Sequence, residues 1–160
     1  MIRVQAEDFD PGAEIAALTA GRTDIGGVVS FVGLVREMIG QGADAERIGA
    51  MTLEHYPGMT EKQLAEIEAE ANRRWPLAAS LIVHRHGRLE PGQRIVLVVT
   101  ASPHRDAAFD ACRFLIDWLK TKAPFWKLEE TGAGGRWVEA QASDDRAAER
   151  WERGKPDAAE

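Results

Sequence analysis

Residues 102–129 read SPHRDAAFDACRFLIDWLKTKAPFWKLE, and the fold turns on them. Ser102 followed by Pro103 is helix-entry chemistry: an oxygen able to cap, then a ring with pre-set φ and no amide hydrogen to leave unpaired. Phe109, Cys112, Leu115, Ile116 and Leu119 recur at three- and four-residue spacing, which turns one stripe of the helix toward a core. Pro124 ends it, because proline removes a ladder donor and pushes Ala123 out of helical space. Phe125 to Glu129 then reads as a strand.

The polar residues of this stretch are candidates for chemistry. His104 and Arg105 fall in the first helical turn, beside unpaired N–H groups and the positive pole of the helix, where an anion such as phosphate docks. Two potential cations oppose the dipole there, so a merely solvated turn is the competing reading. Lys120, Lys122 and Lys127 gather at the other end, where basic residues are also routine surface features. Along one unbroken helix His104 and Lys120, sixteen positions apart, are separated by roughly 24 Å. One small molecule cannot touch both within a single chain. Either they serve different sites, or a second copy brings its His104 and Arg105 to the first copy's Lys120. The second option predicts a symmetric homodimer with sites at the interface.

A chain of 160 residues suits one domain, expected over 1–151, with a polar tail at 152–160 that should fray. A formal charge of −6 speaks against a general nucleic-acid binder, which needs a basic face, so any anion site is local. Cys112 is the only cysteine and lies on the apolar stripe; it fits a reducing cytoplasmic setting and makes a poor nucleophile. No apolar run approaches membrane-spanning length, and the N-terminus carries no signal-peptide pattern.

Working outward, Arg94 to Ala101 is the most apolar strand and should lie centrally in a sheet, feeding directly into the helix. Before it, residues 81–86 form a strand closed by Gly87. His84 and His86 share one side of that strand, but zinc needs at least a third protein ligand, and none is evident. Residues 60–75 form a helix with Leu64, Ile67, Ala71 and Trp75 inward and Thr60 as its cap. Met51 to Tyr56 is a strand, as are Ile2 to Gln5 and the glycine-bounded run from Gly26 to Gly33. Asp10-Pro11 starts a helix that ends near Gly21. Arg36 stands at the root of a glycine- and alanine-rich segment, 37–48, that reads as a mobile loop. A guanidinium there could clamp phosphate or carboxylate, or simply pair with Glu37. After Glu129, the glycine-rich turn at 131–135 predicts a hairpin with Arg136 to Glu139; it lacks the lysine and helix of a phosphate-binding loop. A short helix is expected around 146–151. Strands that both alternate with helices and pair as hairpins make an α+β fold with a mixed or antiparallel sheet.

Five segments together carry a resemblance: FVGLVR at 31–36, LEHYPGMTEKQLAEIEAEANRRWP at 53–76, HRHGRLEPG at 84–92, SPHRDAAFDA at 102–111 and LKTKAPFWKLE at 119–129. They resemble the large, catalytic subunit of molybdopterin synthase, over nearly the whole chain. The resemblance implies an α/β-hammerhead-type fold with an additional small antiparallel β subdomain. It implies a sulfurtransferase that takes sulfur from the C-terminal thiocarboxylate of a small ubiquitin-like subunit. The acceptor would be cyclic pyranopterin monophosphate and the product the molybdopterin dithiolene. It implies a heterotetramer, a central homodimer of large subunits with one small subunit at each end, and neither metal nor resident cofactor.

Carried over by position, the catalytic lysines are Lys120 and Lys127. The resemblance implies that Phe31, Arg36, His104 and Arg105 would bind substrate, Phe31 by packing against the ring. Other members have a basic residue after Trp-Val-Glu-Ala, where this chain has Gln141, so a phosphate role there is in doubt. Two rivals stand beside this reading. A non-catalytic module binding a ubiquitin-like tail would not require both lysines, and a lyase would use Lys120 as a Schiff base.

Overall fold

The computed structural model describes residues 1–39, 45–138 and 150–151. Its first sheet contains β1 (Ile2–Gln5), β5 (Ala79–Arg85), β7 (Arg94–Ser102) and β2 (Gly27–Leu34), in that spatial order. β1 runs parallel to β5, while β5–β7 and β7–β2 are antiparallel. The apolar β7 is therefore internal, and β2 is an edge.

Strand alternation distributes the core over both faces. Leu81, Val83, Leu97 and Val99 pack with Phe9 and with Ile15 and Leu18 of α1 (Pro11–Thr19). Ile82 and Val98, on the opposite face, meet Ile67 and Ala71 of α2 (Met59–Arg74) and Cys112, Phe114 and Leu115 of α3 (Arg105–Thr121). Asp10 caps α1 as expected, its carboxylate accepting from the amides of Gly12 and Ala13.

The second sheet is antiparallel. β4 (Glu46–His55) has β8 (Phe125–Thr131) on one edge, with β3 (Met38–Ile39) and β6 (Gly87–Leu89) on the other; β9 (Gly134–Val138) completes the hairpin after β8. Val35, Leu53 and Leu89 form a small core where the two sheets adjoin. The mixed α+β expectation, with an added antiparallel sheet, is met.

Several local expectations change. The segment 37–48 is not all loop: Met38 and Ile39 pair with Arg47 and Glu46, so β4 starts at Glu46 rather than Met51. Charged residues and Gly49 hide the alternation there, and cross-strand pairing supplies what local pattern does not. β6 is too short to have a sequence signature. Gly58, at φ +82°, precedes α2; its amide donates to Glu61 at 2.6 Å, while buried Thr60 accepts from the Tyr56 amide instead of capping. α3 begins at Arg105, not Pro103, because Ser102 finishes β7. The Ser102 hydroxyl donates to the Pro76 carbonyl and accepts from the His104 amide. Phe109 is 62% exposed rather than core; Ala108, Ala111 and Phe114 fill the buried face with Cys112 and Leu115. Residues 40–44 and Gln141, most of the helix expected at 146–151, and the tail at 152–160 lie outside the described residues.

Candidate active site

The exit of β2, the last turn of α3 and one face of β8 enclose a cavity of about 640 Å³. Each element delivers its side chain for a local reason. Phe31 lies on β2, and Arg36 is the second residue beyond the end of that strand. Lys120 occupies the final turn of α3, where the negative pole favours a cation. Lys127 follows Phe125 by two and precedes Glu129 by two, so strand alternation turns all three to the cavity. The intervening Trp126 points away and is half exposed.

The cavity is electropositive. Arg36, Lys120 and Lys127 contribute cations, while the buried Glu129 accepts from Arg136 Nη2 at 3.1 Å, across the β8–β9 ladder. That pairing meets the need of a buried carboxylate for a compensating charge and hydrogen bond. His84 also lines the cavity. Its ring stacks on Phe125 with centroids 3.7 Å apart and planes 14° apart. Burial above all, helped by the positive charge of Lys127, holds its pKa down to about 4, although the bond to the Arg85 carbonyl works in the other direction. His84 is neutral at pH 7.

Four of the residues singled out from sequence, Phe31, Arg36, Lys120 and Lys127, meet in this cavity. His104 and Arg105 do not. They sit exposed at the opposite end of α3, beside Gly26 and Gly27 at the start of β2. The helix separates them from Lys120, as its length requires. Two lining residues, His84 and Glu129, carried no assigned role in the sequence. Glu129 was legible by parity with Lys127; His84 was not, because only packing of β8 over β5 places it there. His86 parts from His84, its ring 4.4 Å from that of His55. Among the described residues no three His, Cys, Asp or Glu side chains assemble a metal site. No helix among them is long and apolar enough to cross a membrane.

Comparison with known proteins identifies the family of the chain. The family model for the MoaE protein matches residues 4–122. A molybdopterin synthase catalytic subunit from Pseudomonas aeruginosa is 59% identical over 151 residues, 94% of this chain and 98% of that protein. Among solved structures, a molybdopterin biosynthesis MoaE protein from Burkholderia ambifaria is similar with a TM-score of 0.80 and 52% identity, covering 95% of this chain and 97% of the other. A molybdopterin synthase from Staphylococcus aureus gives a TM-score of 0.76 at 31% identity, with 86% and 96% covered. The chain belongs to the MoaE family, that of the molybdopterin synthase catalytic subunits.

Proposed function

We propose that the chain performs the sulfur-transfer step of molybdopterin synthesis, taking sulfur from the C-terminal thiocarboxylate of a small ubiquitin-like subunit and placing it on cyclic pyranopterin monophosphate. The observation that carries this is the convergence of Phe31, Arg36, Lys120 and Lys127 on one cavity. Both reactants are anions, and bringing them together in water is opposed by their repulsion. A cationic pocket offsets that repulsion and draws both in. Arg36 suits the phosphate, because its planar fork donates two parallel hydrogen bonds. Lys120 stabilises the negative charge that develops as the acyl–sulfur bond is made and broken, and Lys127 neutralises the incoming tail. Phe31 offers a face for the pterin ring.

The separation of His104 and Arg105 from the cavity favours a site completed by a second copy. β2 is an edge strand that runs alongside α3, with His104 and Arg105 near its start and the cavity at its exit. Val28, Phe31 and Leu34 expose apolar side chains from the two faces of this edge strand, and the exposed Phe109 of α3 lies near Phe31. Two such edges meeting about a two-fold axis would run antiparallel, setting the start of one β2 against the exit of the other. That brings one copy's His104 and Arg105 to its partner's Lys120, and the small subunits would add at the outer ends to make a heterotetramer. The setting is cytoplasmic, where the lone buried cysteine stays reduced.

Single-turnover conversion of cyclic pyranopterin monophosphate, with a thiocarboxylated small subunit, tests the reading. Dithiolene should form with the native chain and fall at least about 100-fold in Lys120→Ala, with binding of the small subunit retained. No product from a folded native chain that still binds the small subunit would favour a non-catalytic tail-binding module. A stable borohydride-trapped adduct with the pterin would favour the Schiff-base lyase.

A further inference from the structure

The pocket's polar lining is almost entirely donor. Arg36, Lys120 and Lys127 can give hydrogen bonds but accept none while charged, and Glu129 is engaged by Arg136. Such walls suit a phosphate or a thiocarboxylate. They do not suit the other half of the proposed substrate, because a reduced pterin presents several N–H groups that must be accepted by something once water is stripped away.

His84 has the required property. It is 7% exposed, lies on β5 with the parity of Ile82, and therefore faces the α3 side, where it lines the cavity. Its Nδ1 stands 2.9 Å from the Arg85 carbonyl oxygen. A carbonyl only accepts, so Nδ1 must carry the hydrogen. In the neutral ring that leaves the lone pair on Nε2, at the opposite edge. Stacking on Phe125 fixes the plane of the ring, and the backbone fixes its tautomer.

We propose that His84 is the substrate-reading residue of this pocket, accepting an N–H of the pterin through Nε2 while the cations hold the phosphate. The assignment rests on the function proposed above and names the part of the substrate that the basic residues leave unrecognised. The charged groups around the ring keep it an acceptor. Lys127 on β8, His55 on β4 and His86 beyond β5 all add to the cost of protonating it. Arg36 and Lys120 share the cavity with it, and Glu129 is already matched by Arg136. A ring that stays neutral at pH 7 discriminates for donors and against the acceptor edges of other heterocycles.

The test uses the full chain with its thiocarboxylated small subunit and cyclic pyranopterin monophosphate. His84→Phe keeps the ring stack and deletes the acceptor; His84→Gln restores an acceptor near the Nε2 position. We expect His84→Phe to weaken pterin binding and raise KM about 10- to 100-fold, with kcat within about threefold, and His84→Gln to recover most of the loss. Unchanged pterin affinity in folded His84→Phe, a fall in kcat at constant KM, or a Gln variant as impaired as Phe would each overturn the proposal. A second measurement does not depend on the variants. In protein labelled with ¹⁵N-histidine, the His84 Nε2 resonance should be that of an unprotonated nitrogen and should move upfield on saturation with pterin. A protonated Nε2, or one that does not respond, rejects the assignment. Failure of the native chain to bind the pterin at all would instead reject the function on which the assignment rests, and the assignment with it.

Discussion

Lys120 and Lys127 line the same cavity from different elements, one in the last turn of α3 and the other three residues beyond Pro124 on β8. The proline is what makes this possible. It stops the helix before another turn would carry the chain away, and the strand that follows folds back as part of the second sheet. Two cations are thereby held on one cavity by a helix and a strand rather than by a loop, which suits the two anions of the proposed reaction.

A composite site predicts complementation between inactive chains. Lys120→Ala and His104→Ala should each be severely impaired alone. In a mixed dimer one site loses both residues and the other keeps both, so equal mixing with subunit exchange should recover about a quarter of native activity. Sites confined to one chain would recover none.

Gly26 touches the start of the same helix, and its replacement should be costly. A Cβ there would lie 2.2 Å from the Pro103 carbonyl oxygen, a backbone atom that cannot swing aside. Gly26→Ala should lose about 1–3 kcal/mol of stability, measured by urea unfolding, as β2 and the entry to α3 are forced apart.

The buried His84 should give the protein part of its acid sensitivity. Its native pKa of about 4 lies below its ordinary 6.5, so below pH 6.5 the unfolded chain binds a proton that the folded chain refuses. Its contribution is intact above pH 6.5 and is lost progressively as pH falls toward 4. Unfolding free energies measured from pH 7 to pH 4 should decline less steeply in His84→Gln than in the native chain.

Two phenylalanines of α3 should behave in opposite ways. Phe114 is fully buried, with the rings of Trp75, Trp118 and Trp151 at 5.3, 5.5 and 5.6 Å. Phe114→Ala should cost about 3–5 kcal/mol and shift the denaturant midpoint accordingly. Phe109→Ala should change monomer stability by less than about 0.5 kcal/mol. Because Phe109 flanks the β2 edge, sedimentation should instead show weakened self-association.

The sequence was most legible where local pattern and tertiary role agree. Residues 95–99 are apolar without interruption because β7 is internal, and the Asp10-Pro11 entry to α1 uses chemistry contained within four residues. It was less legible where a neighbour decides. Phe109 shares the spacing of the core stripe but is 62% exposed, since an apolar period alone does not fix where the buried arc of a helix ends. β3 and β6 exist through pairing with β4, and a two- or three-residue strand has no period of its own to detect.

The sequence by itself determined the helix that stops short of Pro124, the strand alternation that turns Lys127 to the face of Glu129, and the distance that keeps His104 from Lys120. These follow from rise per residue, the fixed φ of proline and a two-residue repeat, all properties of the chain within one element. Only the tertiary structure decided that Arg36, Lys120 and Lys127 enclose a single cavity, and that His84 forms part of its wall as a neutral ring. Those depend on how two sheets and a helix pack together, and burial shifts a pKa only once the surrounding elements have excluded water.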